Sequence, residues 1–453
     1  MVSEMLRFGT DGVRGRADVD LTLNDVAALG AAIAREWPNV AQIIGHDGRE
    51  SGATWLAAFA GGVLQAGGQT TNAGLLPTPA LADAARRLNC VAVSITASHN
   101  PWHDNGVKVF APGGRKLTDD EQRRIELAWH AHTPSGTTQR TPSDATPPAL
   151  NVGPSATASD ERVISAYVAS VVGCVAGANL VGREVIIDCA NGATSSVVGR
   201  VVTALGLRAE IRNDTPNGRN INAGCGAMHP EAIAEICAQR GVMGIALDGD
   251  GDRLIAVDER GEVVDGDRLI ALAAIDLHQR RLLAHDTVVV TSMTNLGFHH
   301  AMRSHQISVL TTDVGDRAVL AAMEEGGFVL GGEQSGHIIH ALHATTGDGV
   351  LSAMLLLDLV SRSGGTLSQV ASAVMHRMPQ VLRNVRVPNK PMNVEMLLAD
   401  ELARERALLG DEGRIVVRTS GTEPVVRIMV EASSQALADE VTTRLERVVL
   451  SRA

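Results

Sequence analysis

The sequence is poor in aromatic residues and carries no excess of positive charge. Only 2% of its 453 residues are Phe, Trp or Tyr, and the formal net charge is −11. Aromatic platforms on which bases or sugars could stack are therefore scarce, and a nucleic-acid binder would need a basic face that this composition does not supply. The composition argues against nucleic acid as a partner and requires a local basic cluster for any anionic ligand.

The chain also lacks the marks of a membrane or exported protein. No apolar run approaches the roughly 18 residues that a transmembrane helix requires, and the first residues, Met1-Val2-Ser3-Glu4, have neither the basic nor the apolar segment of a signal peptide. Five cysteines form an odd set without zinc-site spacing, namely Cys90, Cys174, Cys189, Cys225 and Cys237. We therefore expect reduced thiols, a cytoplasmic location and no membrane partner.

What the chain does contain is a length and a pattern typical of several α/β domains. A chain of 453 residues is too long for one core, so three or four domains are expected. Short apolar strands alternate with helical segments along most of it. The segment 133–159 differs because it holds five prolines among many Ser and Thr residues. It is predicted to be a linker, and the first domain boundary is placed in it.

Four of the predicted strands end in a polar cluster. These clusters occupy residues 96–101, 248–253, 332–337 and 418–422. Ligands of α/β proteins bind beyond the carboxyl ends of strands. One cleft shared by four domains would therefore bring the clusters together into a single site.

Ser98, in the first cluster, is the candidate nucleophile. The apolar run Val91–Ile95 predicts a buried strand, and Asn100-Pro101 prevents its continuation, which puts Ser98 on a tight turn. A serine hydroxyl is a weak nucleophile without a base, a metal or a phosphate, and adjacency in sequence is poor geometry for pairing with His99. A turn serine that bonds to its own backbone is the alternative.

The second cluster predicts a magnesium site. Asp248, Asp250 and Asp252 put three carboxylates within five residues, and like charges this close repel unless a cation binds. Oxygen ligands suit Mg²⁺, whereas an EF-hand loop is excluded because Arg253 occupies its sixth position, where glycine is needed. A plain acidic turn is the other alternative. Asp267, further along, is predicted to N-cap a helix instead.

The fourth cluster combines the groups that a phosphate dianion needs: guanidinium, hydroxyl and glycine-exposed backbone N–H. Its candidate residues are Arg418, Ser420, Gly421, Thr422 and the nearby Arg427. A hairpin turn is the alternative. At the other end of the chain, Arg14 lies in a glycine-rich loop that is either an anion-binding loop or a surface turn.

The third cluster offers groups for a sugar and a proton. Glu333 and Ser335 suit sugar hydroxyls, and His337 titrates near neutral pH and could move a proton. A glycine-rich turn explains this cluster equally well. Lys108 becomes a candidate only if the strand that leaves the Ser98 turn folds back towards the cleft.

Five segments in order carry a resemblance to a known family. Residues 8–15, 96–101, 248–253, 332–337 and 418–424 read FGTDGVRG, TASHNP, DGDGDR, GEQSGH and RTSGTEP. They resemble the motifs of the α-D-phosphohexomutases over about residues 5–450. The resemblance implies three similar α/β domains with mixed sheets and a smaller α+β C-terminal domain around one central cleft. We place them at residues 1–156, 157–257, 258–372 and 373–453.

Within that family, three further segments are similar to the branch that acts on glucosamine phosphates. They are residues 188–194, 220–226 and 345–349. The resemblance implies isomerisation of glucosamine 6-phosphate to glucosamine 1-phosphate through a bisphosphate, for UDP-N-acetylglucosamine synthesis. Hexosamine phosphates are the expected partners, and a homodimer is compatible with the resemblance.

The resemblance also implies roles for the candidate residues. Ser98 would be phosphorylated in the resting enzyme, and one Mg²⁺ would lie on Ser98, Asp248, Asp250 and Asp252. A sugar 1,6-bisphosphate would prime the enzyme. Arg14 and Arg253 would flank the phosphoryl group, with Lys108 or His337 exchanging the proton. The substrate would be held by Glu333, Ser335, Arg418, Ser420, Gly421, Thr422 and Arg427.

Three rival functions differ in what they require. A phosphoglucomutase or phosphomannomutase would use the same chemistry on another hexose. A phosphoserine-dependent phosphatase would need a second metal set with histidine ligands, and no such spacing is evident. A sugar-phosphate-binding protein would need neither Ser98 nor the three aspartates.

Overall fold

The computed structural model describes residues 7–9, 12–131, 160–389, 391–419 and 424–452. The predicted linker at 133–159 and three predicted phosphate ligands, Ser420, Gly421 and Thr422, lie outside the described residues. The chain divides into two compact units. The first comprises Met1–Ser292 and Val309–Ala371, and the second comprises Met293–Ser308 and Ser372–Ala453.

The first unit begins with a mixed five-stranded sheet, in the order β1-β5-β4-β2-β3. Strands β2, β3 and β4 are parallel, and β5 returns antiparallel to β4. Its elements are β1 (Val13–Arg16), α1 (Leu23–Glu36), β2 (Gln42–His46), α2 (Gly52–Gln65), β3 (Thr70–Leu75), α3 (Thr78–Leu88), β4 (Val91–Ile95), β5 (Asp104–Phe110) and α4 (Asp119–His130). Since aromatics are scarce, aliphatic side chains from the sheet fill this core around Trp55, Phe59 and Trp129.

A second mixed sheet follows in the order β10-β9-β8-β6-β7. Strands β6, β7 and β8 are parallel, whereas β9 and β10 are antiparallel to their neighbours. Its elements are α5 (Glu161–Cys174), β6 (Glu184–Asp188), α6 (Val198–Leu205), β7 (Arg208–Arg212), α7 (Glu231–Arg240), β8 (Gly244–Leu247), β9 (Leu254–Val257) and β10 (Val263–Val264).

The third sheet has four strands in the order β12-β11-β13-β14. The elements of this part are α8 (Gly266–Gln279), β11 (Thr287–Thr291), α9 (Leu296–Ser304), β12 (Ser308–Thr312), α10 (Asp316–Gly326), β13 (Leu330–Gly332), β14 (Ile338–His340), α11 (Gly349–Ser363) and α12 (Leu367–Val374). Helix α9 belongs to the second unit. Among the described residues no single helix has the length and apolar character to cross a membrane, although α11 and α12 together meet both criteria across a 93° bend.

The second unit is built on an antiparallel sheet in the order β15-β17-β16. Its remaining elements are β15 (Gln380–Arg386), α13 (Val394–Leu397), α14 (Ala399–Leu409), β16 (Arg414–Thr419), β17 (Val425–Glu431) and α15 (Gln435–Arg452). Alternate residues of β16 and β17 face a separate aliphatic core against α14 and α15. This unit therefore has a core of its own.

Local sequence signals predicted many of these elements. Strand β4 has the expected bounds, and the capping box of α4 is present because Thr118 and Glu121 each bond to the other's backbone N–H. One prediction is wrong. Asp265, not Asp267, caps α8, because the Asp265 side chain accepts a hydrogen bond from the Arg268 N–H. The buried Asp267 carboxylate instead accepts a 3.0 Å hydrogen bond from Gln334 Nε2.

Candidate active site

Ser98 lies on a strained turn at the carboxyl end of β4. Its φ angle is +53°, in the left-handed region that residues other than glycine rarely adopt. The residue is fully buried, and its Oγ donates a 2.7 Å hydrogen bond to Asp248 Oδ2. The hydroxyl is therefore fixed against the carboxylate cluster that follows β8.

His99 lies closer to the serine than the sequence predicts. Its Nδ1 is 3.4 Å from Ser98 Oγ, which is longer than the contact to Asp248. Burial lowers the pKa of His99 to about 4, assisted by the charges of Arg253 and Arg14. The ring is thus neutral at physiological pH, and the charges of both arginines favour that neutral form.

Asp248, Asp250 and Asp252 form a buried cluster whose ligand oxygens all lie within 4.8 Å of one another. Burial and the two neighbouring carboxylates raise the pKa of Asp248 well above its usual range. Two oxygens of the cluster, Asp250 Oδ1 and Asp252 Oδ1, accept no hydrogen bond within the described part of the chain. Buried carboxylate oxygens left in this state fit a hard cation such as Mg²⁺.

Lys108 reaches this cluster from β5. Its Nζ lies 2.8 Å from Asp250 Oδ2 and 2.7 Å from Asp252 Oδ2, and the side chain is 3% exposed. The antiparallel pairing of β5 with β4, which sets Lys108 opposite Ser94, brings the lysine back to the site. The condition under which Lys108 becomes a candidate is therefore met.

Arg253 and Arg14 supply two further cations. Arg253 Nε is 3.7 Å from Asp252 Oδ1, and the Arg253 backbone N–H donates to Asp248 Oδ1 at 3.1 Å. Arg14 lies on β1 and pairs in register with Gly106 of β5, two residues before Lys108. Positive charge thus surrounds the serine turn although the whole chain is acidic.

His337 joins the cluster from the third sheet. Its Nδ1 is 3.6 Å from Asp252 Oδ1, and its Nε2 accepts a 3.2 Å hydrogen bond from the Gly347 N–H. Burial would lower the pKa of His337, but the Asp252 carboxylate outweighs burial and raises it. The same ring in turn helps to hold the pKa of Asp252 well below its usual range, against the effect of burial and together with Lys108.

The candidate residues for binding the sugar are all described by the structure, whereas only two of those for binding the phosphate are. Glu333 accepts a 3.1 Å hydrogen bond from the Gly315 N–H, and Ser335 is exposed at the tip of the turn between β13 and β14. In the second unit, Arg418 and Arg427 lie directly opposite each other on β16 and β17. Like charges in such a pair are unfavourable, so an anion between them would relieve the repulsion.

Three functional candidates escaped the sequence analysis: Asp47, Arg49 and Asn222. Asp47 and Arg49 follow β2, a buried apolar strand with the same strand-then-polar pattern as the other clusters. Asn222 belongs to the 220–226 segment, whose resemblance to a family branch implies no role for this residue. The strand pattern is therefore a usable signal for the first pair, whereas only the fold reveals that Asn222 Nδ2 donates to the Ser98 carbonyl at 2.9 Å.

A cavity of about 330 Å³ lies elsewhere in the first unit. Its lining includes apolar side chains of α8 and α11, and none of the candidate site residues belongs to it. Residue chemistry and not cavity size therefore defines the candidate site.

Four family models match consecutive parts of the chain. They describe phosphoglucomutase/phosphomannomutase alpha/beta/alpha domain I (residues 5–134), domain II (165–261), domain III (265–378) and the C-terminal domain (382–448). The predicted α/β architecture of four domains is thereby confirmed. The domain boundaries and the shared central cleft stay predictions.

Relatives match over nearly the whole chain. A phosphoglucosamine mutase of Pelotomaculum thermopropionicum is 42% identical and covers 98% of both chains. One of Frankia casuarinae is 43% identical and covers 98% of this chain and 97% of its own. A solved structure of a phosphoglucomutase/phosphomannomutase family protein from Burkholderia thailandensis superposes with a TM-score of 0.77, at 23% identity, over 98% of this chain and 96% of that one.

Proposed function

The chain belongs to the phosphoglucomutase/phosphomannomutase family, and on this premise we propose that it is an isomerase that interconverts D-glucosamine 6-phosphate and D-glucosamine 1-phosphate. The relatives named phosphoglucosamine mutase, 42–43% identical over 98% of this chain, favour this substrate over glucose or mannose phosphates. A phosphoglucomutase or phosphomannomutase with the same chemistry is the alternative. The function belongs to amino-sugar metabolism, where the product would feed UDP-N-acetylglucosamine synthesis.

One observation carries the mechanism: the Ser98 hydroxyl lies 2.7 Å from Asp248 Oδ2, beside a buried carboxylate cluster. We propose that Ser98 is phosphorylated in the resting enzyme and that Ser98, Asp248, Asp250 and Asp252 hold Mg²⁺. When bound, the metal supplies charge neutralisation for the phosphoryl oxygens during transfer. Two buried oxygens support this assignment, because Asp250 Oδ1 and Asp252 Oδ1 accept no hydrogen bond from the described residues and oxygen ligands suit Mg²⁺.

The transfer step exchanges one P–O bond for another. The bond from phosphorus to Ser98 Oγ breaks while a bond to a free sugar hydroxyl forms, and the hydroxyl proton passes to His337 or to Lys108 in its neutral amine form. Arg253 and Arg14 balance the negative charge of the phosphoryl group while it is transferred. The resulting sugar 1,6-bisphosphate then presents its other phosphate and returns a phosphoryl group to Ser98. The same bisphosphate would prime an unphosphorylated enzyme.

We assign the substrate contacts to the third and fourth clusters. Glu333 and Ser335 would hold sugar hydroxyls, and the phosphate already on the sugar would bind Arg418 and Arg427 together with the loop residues Ser420, Gly421 and Thr422. Because the bisphosphate must bind in two orientations, these contacts have to accept either end of the sugar. Small-molecule hexosamine phosphates are thus the partners. A homodimer and a cytoplasmic location stay predictions, the latter supported by five cysteines that form no disulfide.

The first test compares kcat/KM for the 6-phosphates of glucosamine, glucose and mannose, with Mg²⁺ and a trace of sugar bisphosphate. We expect glucosamine 6-phosphate to be preferred by at least about tenfold, or about 1.4 kcal/mol of transition-state stabilisation. A preference for glucose or mannose would replace the substrate and keep the chemistry. Release of free phosphate without isomerisation would overturn the function.

The second test replaces the nucleophile. Ser98→Ala should abolish isomerisation and remove the phosphate from the intact mass of the purified protein. Ser196→Ala is a matched control, because the Ser196 hydroxyl donates to the nearby Ala193 carbonyl, at 2.7 Å. An active Ser98→Ala enzyme would contradict the phosphoserine mechanism.

A further inference from the structure

The position of the Ser98 hydroxyl depends on what holds its turn. With a φ angle of +53° the backbone is in a conformation that serine rarely adopts unaided. A residue in such a conformation persists only when surrounding contacts determine it. The side chains that bond to the backbone of this turn therefore decide where the hydroxyl points.

Arg49 is the main donor to the turn. Its side chain has no solvent exposure. Nη1 donates to the carbonyls of Pro101 at 2.7 Å and Asp104 at 2.6 Å, and Nη2 donates to the Ser98 carbonyl at 3.1 Å. A planar guanidinium can serve several carbonyls at once, whereas an ammonium is a point charge on a flexible stem.

Asp47 orients Arg49 and closes a second connection to the serine. Its carboxylate accepts from Arg49 Nε at 2.9 and 3.1 Å. The same carboxylate accepts a 2.5 Å hydrogen bond from Thr96 Oγ1, which in turn accepts the Ser98 N–H at 2.8 Å. Both backbone polar groups of Ser98 are thus tied to the Asp47–Arg49 pair.

Asn222 is a second side-chain donor to the Ser98 carbonyl. Its Nδ2 donates to the Ser98 carbonyl at 2.9 Å and to the Asn100 carbonyl at 3.2 Å. Asn222 is buried, and its own backbone N–H is held by the Ala190 carbonyl at 2.9 Å. This contact links the serine turn to the loop between β7 and α7, which belongs to the part of the chain that forms the second sheet.

We infer that Arg49, oriented by Asp47, and Asn222 are positioning residues for phosphoryl transfer, which hold the Ser98 turn in its left-handed conformation with the hydroxyl on Asp248. The inference rests on the proposed function of Ser98. Neither residue needs to touch the substrate to act in this way. The competing explanation is that Arg49 only balances the buried charge of Asp47.

Arg49→Lys separates these two explanations. Lysine keeps the charge beside Asp47, but its three N–H donors cannot serve three carbonyls and the Asp47 carboxylate at once. We expect kcat to fall at least about tenfold while KM for the sugar phosphate changes less than about twofold, since substrate contacts are untouched. The thermal midpoint should stay near that of the wild type. A lysine variant with wild-type kcat would overturn the inference, because charge balance alone would then suffice.

Asn222→Asp provides a second arm that involves no buried arginine. It keeps the size of the side chain and replaces an amide donor with an acceptor facing two carbonyls. We again expect a fall in kcat of about tenfold or more with little change in KM. Wild-type kcat in this variant would remove Asn222 from the inference.

Arg414→Lys is the matched control. Arg414 also pairs with a buried carboxylate, Glu431, at 2.8 Å and also donates to a loop carbonyl, that of Thr294, at 2.7 Å. It belongs to the second unit, whereas the serine turn belongs to the first. We expect kcat to change less than about twofold in this variant. A loss equal to that of Arg49→Lys would mean that replacing any ion-paired arginine by lysine has this effect, and would overturn the inference.

Amide hydrogen exchange of residues 96–104 keeps the test independent of the reaction. We expect faster exchange of these amides in Arg49→Lys and Asn222→Asp than in the wild type and Arg414→Lys. If Ser98→Ala isomerises sugar phosphates, the proposed function fails whatever the exchange result. If Ser98→Ala is inactive and exchange in 96–104 is unchanged in both positioning variants, the inference alone fails.

Discussion

Lys108→Met should make the stability of this protein depend on Mg²⁺. The Lys108 ammonium lies within 2.8 Å of two buried carboxylates, Asp250 and Asp252. Removing one partner of a buried ion pair costs about 3–5 kcal/mol, because the remaining charge is left uncompensated. In a solution that contains a chelator, the variant should therefore melt several degrees below the wild type.

Mg²⁺ should reverse most of that loss. A ligand at about a thousandfold its Kd stabilises the folded state by about 4 kcal/mol. Without Lys108 the carboxylates also lose a competing cation, so the metal should bind the variant more tightly than the wild type. The assay is the thermal midpoint with chelator and with millimolar Mg²⁺ at a fixed scan rate.

Lys116→Met is the matched control for this experiment. Lys116 pairs with a largely buried carboxylate, Asp316, which is not part of the aspartate cluster. Removal of the Lys116 ammonium should lower the thermal midpoint, and Mg²⁺ should not restore it. If Mg²⁺ raises the midpoint of Lys108→Met no more than that of the wild type, the reasoning that places the metal on these aspartates is refuted.

Three further predictions test the surroundings of the site and the fold. In Gly249→Ala the added Cβ would lie 2.8 Å from the Ser98 carbonyl oxygen, so kcat should fall by about tenfold or more. Gly173→Ala is the control, because its added Cβ meets nothing within 4 Å. This control should keep full activity in the same assay. Burial raises the pKa of Asp348 to about 7; its raised pKa favours the folded state at low pH, and this advantage is lost as the pH rises towards 7. The wild type should therefore lose about 2.5 kcal/mol more stability than Asp348→Asn between about pH 5 and pH 8, measured by unfolding at each pH; parallel curves would contradict the assignment. Thr118→Ala removes the cap of α4 and should destabilise the first unit by about 1 kcal/mol, seen as a lower denaturation midpoint, and an unchanged midpoint would mean that tertiary contacts hold this helix end.

Local signals in the sequence were sufficient for many of the elements and for the chemistry of the clusters. The capping box of α4 and the strand that leads to Ser98 depend on residues a few positions apart, and such short-range preferences are visible without a fold. The three aspartates within five residues predicted an acidic cluster for the same reason. The cap of α8 shows the limit, because Asp265 and Asp267 are equally good caps by residue type.

Contact with a distant segment decided which of these two aspartates caps α8. Asp267 bonds with Gln334, 67 positions away, and this contact leaves the cap to Asp265. The proximity of His99 to Ser98 was missed for a related reason. Adjacent side chains usually diverge, and only the left-handed turn at Ser98 brings the two together.

Sequence alone thus determined which residue types carry the chemistry, and the order of motifs determined the family. Only the tertiary structure decided which side chains meet. Lys108 reaches Asp252 across 144 positions, Asn222 reaches the Ser98 carbonyl across 124, and Arg49 reaches the same carbonyl across 49. These meetings follow from strand register and from the packing of one sheet's loops on another. They depend on burying polar groups with partners, and that free energy exists only when the whole unit has folded.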